Sequence, residues 1–218
     1  MMNSGRDWFL AGELLASGLS ALSLAASESQ QQCLIRYIQM LEKWNKAYNL
    51  TSITDWRGMV VRHLLDSVSV SPWIKGPAVL DVGTGAGMPG IPLAVLNPDI
   101  HFVLLDTNGK KTRFMTQVKA ELGIGNIAVV KARIEQYHPE QHFDQVICRA
   151  YSSLEKFVQQ VHHIGEQNPS LELLAMKGQL PDTEIAALTG KATVAGIENL
   201  QVPFLDEQRH LIRLQILY

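Results

Sequence analysis

The sequence predicts an α/β fold: a doubly wound, mostly parallel sheet of seven strands with an antiparallel last strand, preceded by a helical extension. Three observations predict it. From Ala78 onward, short β-rich runs at 78–82, 101–106, 127–131, 143–149 and 171–177 alternate with helical stretches, the pattern of a doubly wound sheet. Several of these runs are apolar without strict alternation, as expected of parallel strands covered on both faces. Two further runs, 192–203 and 209–217, are separated by a loop too short to hold a crossover helix, so this pair is expected to be antiparallel.

The helical part comes first. Ser27 followed by Gln30 has the spacing of a capping box. Leu34, Ile38, Leu41, Trp44 and Tyr48 then recur at steps of three or four and form one apolar stripe. A third helix is expected from about Asp55 to Val70, with Val60, Leu64 and Val68 on one face, before Pro72 and Pro77 close the region. We expect residues 1–75 to form a helical extension packed on the core, and 76–218 to form that core as one compact unit.

Composition narrows the class. A chain of 218 residues is long enough for one well-packed domain. Its net charge of −2 and pI of about 6.4 do not suit a broadly basic nucleic-acid coat, so any such contact must come from a local cluster. Cys33 and Cys148 lie far apart, with no Cys-x-x-Cys spacing and no neighbouring ligand His. Neither a disulfide framework nor a metal site is expected, and a reducing cytoplasm is the expected compartment. The longest uncharged run, 14–27, is too short and too rich in Ser, Ala and Gly to span a bilayer. Asp7 and Glu13 stand where an export leader would be positive.

The most informative segment is Asp81-Val82-Gly83-Thr84-Gly85-Ala86-Gly87-Met88-Pro89-Gly90, which follows the first predicted strand and opens a helix. Glycines let a backbone turn tightly and approach a ligand closely, and a following helix offers free N–H groups to an anion. Gly85-x-Gly87-x-x-Gly90 matches the dinucleotide pattern, where the anion is a pyrophosphate. The reading Asp81-x-Gly83-x-Gly85-x-Gly87 adds an acid placed for a zwitterion: the helix end for a methionine carboxylate, and Asp81 for its ammonium group. Asp106, ending the second strand, can accept the hydroxyls of a ribose. It supports a nucleoside without choosing between the two cofactors, and a plain helix cap is its duller role. After the third strand, backbone at Ile134 can meet an adenine edge while Glu135 accepts from the exocyclic amine. All these features fall at the carboxyl ends of successive strands, where open α/β sheets bind ligands.

The sequence also resembles a known family. Lys43-Trp44-Asn45-Lys46-Ala47-Tyr48-Asn49-Leu50-Thr51, Val61-Arg62-His63-Leu64-Leu65-Asp66-Ser67, the loop 81–93, Arg149-Ala150, Met176-Lys177-Gly178-Gln179, Gln201-Val202-Pro203 and Glu207-x-Arg209-His210-Leu211 are similar to ribosomal RNA small-subunit methyltransferase G, also called glucose-inhibited division protein B. The likeness runs from about residue 33 to the end. It implies a class I, Rossmann-like fold that uses S-adenosylmethionine to methylate N7 of a guanine in 16S rRNA, free or in an assembling small subunit. Carried over by position, it implies cofactor contacts at Gly83, Met88, Ile134, Glu135 and Arg149. The chain departs at Met88, where the family commonly has leucine, and at Cys148, where a small residue such as serine is expected.

Chemistry agrees with that reading. Guanine N7 has a free lone pair and no proton to lose, so no general base is needed, and positioning and electrostatics should carry the rate. The fourth strand ends in Cys148-Arg149-Ala150-Tyr151, not in the Asn/Asp-Pro-Pro-aromatic motif of exocyclic-amine methylation. Cys148 has to be weighed as a nucleophile for carbon methylation, but its apolar neighbours point to a buried strand. Lys131, Arg133, Arg149, Lys177, Arg209 and His210 gather at one sheet edge and predict a positive rim. Within it Arg133 and Lys177 are the candidates for placing phosphate or base, with Arg209 and His63 as further RNA contacts.

Other residues have plainer readings. Arg62 and Asp66, at i and i+4, are expected to pair on a helix surface. Lys110, Lys111 and Arg113 read as a solvated helix face, and Trp44 and Tyr48 as core staples. The rivals to the whole reading are an NAD-linked oxidoreductase, a non-catalytic RNA-binding module, and a methyltransferase for a small molecule or protein. Only about 40 residues follow the fifth strand, too few for the separate substrate domain the first would need.

Overall fold

A computed structural model of the chain describes residues 4–217 apart from 152, 167 and 189. Two long helices open it, α1 (Ser4–Ala21) and α2 (Glu28–Tyr48). Ser27 and Gln30 form the predicted capping box, and Asn49 in the left-handed region ends α2. The third helical stretch is present but is not a plain α-helix. Asp55 caps a short turn, α3 (Trp56–Gly58), which runs into a π-helical stretch, Met59–Leu65, and then into α4 (Asp66–Val68).

The core alternates as predicted: β1 (Ala78–Val82), α5 (Gly90–Leu96), β2 (His101–Asp106), α6 (Gly109–Leu122), β3 (Ile127–Lys131), a 3₁₀ turn at Ile134–Gln136, β4 (Gln145–Arg149), α7 (Leu154–Gly165) and β5 (Glu172–Lys177). A short α8 (Asp182–Ala186) leads into β6 (Ala192–Asn199) and β7 (His210–Ile216). The sheet order is β3-β2-β1-β4-β5-β7-β6. β1 to β5 pair parallel, and β7 lies antiparallel between β5 and β6. β6 stops at Asn199, short of the predicted 203, because Pro203 has no amide for a ladder and Phe204 turns the chain at φ 66°.

Two apolar layers hold the sheet. One joins Val79, Phe102, Leu104, Ile147 and Leu174 to Leu15, Tyr37, Ile38 and Leu41 of the first two helices. The other joins Leu80, Val103, Val146 and Leu173 to Phe157 and Val161 of α7. Side chains alternate across each strand, so both faces are buried and the runs read as apolar without a period of two. Every carboxyl end of β1 to β5 points to one rim, which the start of β7 joins through the Lys177–His210 pairing. Among the described residues no helix is long and apolar enough to cross a membrane.

Candidate active site

The glycine loop sits on the end of β2. Gly83 and Thr84 both donate to the Leu105 carbonyl, at 2.8 and 3.2 Å. Gly83, Gly85 and Gly87 take φ of 69°, 66° and 104°, values that side chains with a β-carbon rarely adopt. Asp81 lies beneath the loop and is fully buried. Its Oδ2 accepts from the Thr84 hydroxyl at 2.6 Å and from the Gly90 amide at 2.8 Å. A β-carbon at Gly90 would lie 2.7 Å from that same oxygen, so the helix opens only on a glycine. Burial pushes the Asp81 carboxyl up to about 6 against the pull of these two donors. Asp81 thus ties the loop from below with Oδ2, a role that the sequence alone does not show. Its Oδ1 is buried and has no donor among the described residues, an acceptor that fits the cofactor's ammonium group directly or through a bridging water.

Asp106 accepts the Gly85 amide on Oδ2 (2.8 Å) and the Asn108 amide on Oδ1 (2.7 Å). It is not the cap of α6, since Asn108 holds that position. Each carboxylate oxygen keeps a second lone pair, and Asp106 lines the cleft, so it can still accept from ribose hydroxyls. Beyond it a cleft of about 330 Å³ is lined by Gly83, Asp106, Ile134, Glu135, Arg149 and Tyr151, among others. Arg133 stands on its edge. The Met88 side chain is buried in the first apolar layer, so the cofactor contact expected at this position would fall to its backbone. Sequence reasoning missed a relay across the mouth: the Tyr151 hydroxyl donates to Gln160, whose amide donates to Glu135.

A second cleft of about 420 Å³ adjoins the first, and the two share Arg149 and Ala150. His63, Asp66, Lys177, Arg209 and His210 line it. Here the expected positive rim is corrected in part, because Arg149, Lys177 and Arg209 are paired. Asp66, nearly buried, takes Arg149 on Oδ2 at 3.1 Å and Arg209 on Oδ1 at 2.9 Å. Lys177 reaches Glu184 at 2.8 Å. The expected Arg62–Asp66 pair is not formed: Arg62 makes a bidentate bridge to Glu207, at 2.6 and 2.7 Å. The π-helical stretch is the reason, since its wider i→i+5 turn no longer stacks position i+4 over i.

His63 is buried, with Nε2 2.8 Å from the Thr51 hydroxyl and Nδ1 3.3 Å from the Arg62 carbonyl. A carbonyl only accepts, so Nδ1 carries the proton and Nε2 accepts from Thr51. Burial, helped by the Arg149 charge, lowers its pKa to about 4. His63 is therefore a neutral hydrogen-bonding group, not a phosphate cation. Cys148 is buried on β4, and burial pushes its thiol well above the ordinary value.

The glycine loop, the acid ending β2, and the Ile134–Glu135 edge at the carboxyl rim of a 3-2-1-4-5-7-6 sheet define a class I S-adenosylmethionine-dependent methyltransferase. The residues fit that cofactor: amides at the loop, a carboxylate for ribose, an apolar wall with an acid for adenine. The fold agrees. A methyltransferase from Aquifex aeolicus is similar at 17% identity and TM-score 0.55, covering 73% of this chain and 93% of that one. Magnesium protoporphyrin IX methyltransferase from Synechocystis, with bound S-adenosylmethionine, is similar at 16% identity and TM-score 0.57, covering 88% and 99%.

The family model for rRNA small subunit methyltransferase G matches residues 30–212. The chain is 48% identical to ribosomal RNA small subunit methyltransferase G of Shewanella loihica over 199 residues, 91% of this chain and 95% of the relative. Against the Shewanella halifaxensis protein of the same name the identity is 49% over 195 residues, 89% and 93% of the two chains. The chain belongs to the ribosomal RNA small-subunit methyltransferase G family.

Proposed function

We propose that the protein transfers a methyl group from S-adenosylmethionine to N7 of a guanine in 16S rRNA, acting in the cytoplasm on rRNA or an assembling small subunit. The observation that supports this best is the junction of two clefts at Arg149 and Ala150: one suits a nucleoside cofactor, the other a flat polar base. The helices of 1–75 and the core of 76–218 are proposed to act as one compact unit, in keeping with their shared apolar layer.

Gly83, Gly85, Asp106, Ile134, Glu135 and Arg149 would hold the cofactor, with Asp81 and Met88 supporting the loop from beneath. Bound there, the cofactor supplies an electrophilic methyl on a sulfonium. The chain's own work is placement. Lys177 and Arg209, each neutralised by an acid, present N–H donors to a base in the second cleft, and neutral His63, its two ring nitrogens held by Thr51 and the Arg62 carbonyl, lines that cleft without adding charge. A bare cation on guanine O6 would draw electron density from N7. Ion pairing with Glu184, Asp66 and Glu207 softens that effect while keeping the donors in place. No residue has to remove a proton, and the buried thiol of Cys148 takes no part. Arg133, exposed at the cleft edge, is assigned to phosphate.

Radiolabelled methyl transfer to 16S rRNA, followed by mass spectrometry of its fragments, tests this. The expected product is one guanine carrying a methyl on N7. A methyl on an exocyclic amine or a pyrimidine carbon, or transfer only to protein, would overturn it.

A further inference from the structure

The cations of the carboxyl rim fall into two groups. On the side of β4, β5 and β7, Arg62, Arg149, Lys177 and Arg209 all sit in ion pairs. On the side of β2 and β3, among the described residues, Lys110, Lys111, Arg113 and Lys131 make no ion pair. These four surround Gly109, the first residue of α6. Arg113 Nε donates to the Gly109 carbonyl at 3.2 Å. Lys131 Nζ lies 3.2 Å from where a β-carbon on Gly109 would sit, and Lys111 Nζ lies 3.7 Å from the same position on Gly85. Lys110 Nζ stands 5.9 Å over the ring of exposed Tyr48. The two acids closest in sequence are already engaged: Asp106 is buried and accepts two backbone amides, and Glu135 accepts from Gln160.

We propose that this cluster is a docking track for the phosphodiester backbone of the substrate RNA, running past the mouth of the cofactor cleft. The proposal rests on the RNA-methyltransferase reading and deepens it. Uncompensated like charges gathered on a chain of net charge −2 are not a by-product of general basicity. They repel one another until a polyanion lies across them, and each phosphate met releases counterions. The ion-paired arginines and lysine of the second cleft keep their counter-charge and so release little. The two groups thus divide the work: unpaired cations grip the backbone, and paired ones present donors to the base. Tyr48, with Lys110 over its ring, gives the track an aromatic edge on which an unpaired base can stack.

The test is the salt dependence of binding to protein-free 16S rRNA by the wild-type protein and by a K110Q/K111Q/R113Q/K131Q variant. All four positions lie outside the cofactor cleft wall, and calorimetry with S-adenosylhomocysteine checks that the variant is folded. The expected result is an unchanged cofactor Kd, with the slope of log K against log salt shallower by about 0.7 to 0.9 per cation removed. Affinity near 0.15 M salt should fall by roughly tenfold or more. An unchanged slope and affinity would overturn the track. So would unchanged affinity for naked rRNA with weakened binding to a protein-containing subunit particle, since the cluster would then dock protein. If the wild-type protein binds cofactor but neither binds nor methylates rRNA, the parent reading fails instead, and the track with it.

Discussion

The Tyr37 hydroxyl donates a 2.9 Å hydrogen bond to the carbonyl of Ala86, in the middle of the glycine loop. Tyr37 is fully buried on α2, far from the loop in sequence. Burial pushes its phenol well above the ordinary range, so it stays a donor at any working pH. The helical extension thereby holds the loop as well as covering the sheet.

Tyr37→Phe should leave the Ala86 carbonyl buried without its donor. A loss of about 1–3 kcal/mol in unfolding free energy is expected, together with weaker binding of S-adenosylhomocysteine. Urea unfolding and calorimetry would show both, and an unchanged cofactor Kd would mean the loop does not depend on this bond.

Asp66 answers two arginines at once, Arg149 where the two clefts meet and Arg209 in the second cleft. Asp66→Ala should strand two half-buried guanidinium groups and destabilise the fold by roughly 3–5 kcal/mol. Asp66→Asn keeps one acceptor and should lower kcat more than stability. Single-turnover methylation beside thermal unfolding would separate the two effects; equal, small losses in both would rule out a positioning role.

Asp81 and His63 impose opposite pH dependences. With its folded pKa raised from 3.8 to about 6, Asp81 is harmless below pH 4 and destabilising once both states ionise. Asp81→Asn should therefore gain on wild type by on the order of 3 kcal/mol between pH 3 and pH 7. The stability difference measured by denaturant at several pH values tests this, and a flat difference would contradict a raised pKa.

His63, with a folded pKa lowered from 6.5 to about 4, contributes stability above pH 6.5 that is lost as pH falls toward 4. In this window the unfolded chain takes up the proton first. Titration of the His63 ring by NMR should show it neutral at pH 6, and a midpoint near 6.5 would remove the basis for treating it as an uncharged donor.

Cys148→Ser should retain methylation within a few-fold, because a buried, un-ionised thiol cannot attack a base. Abolished turnover with intact cofactor binding would restore the nucleophile.

The strands were legible because both faces of each are apolar and glycines punctuate their ends. The same logic located Gly83, Asp106, Ile134 and Glu135, whose positions follow from local chain geometry at the rim. What could not be read were the partnerships. Asp66 finds Arg149 and Arg209 at separations of 83 and 143 residues, and the nearby Arg62 looked like its natural mate only on the assumption of an α-helix. Gln160 sits mid-helix with no distinguishing neighbours, so its link to Glu135 depends on how α7 docks. Asp81 was legible as part of the loop, but its complete burial was not, because sequence does not show depth.

The π-helical stretch Met59–Leu65 makes chain length, not only residue identity, a determinant of the site. Excising a single residue ahead of Arg62 would return the segment to ordinary α spacing and stack Arg62 over Asp66. The carboxylate of Asp66 would then be shared with a third guanidinium group, with its own chemistry untouched. A deletion in this segment should therefore disturb the site without removing any residue that lines it.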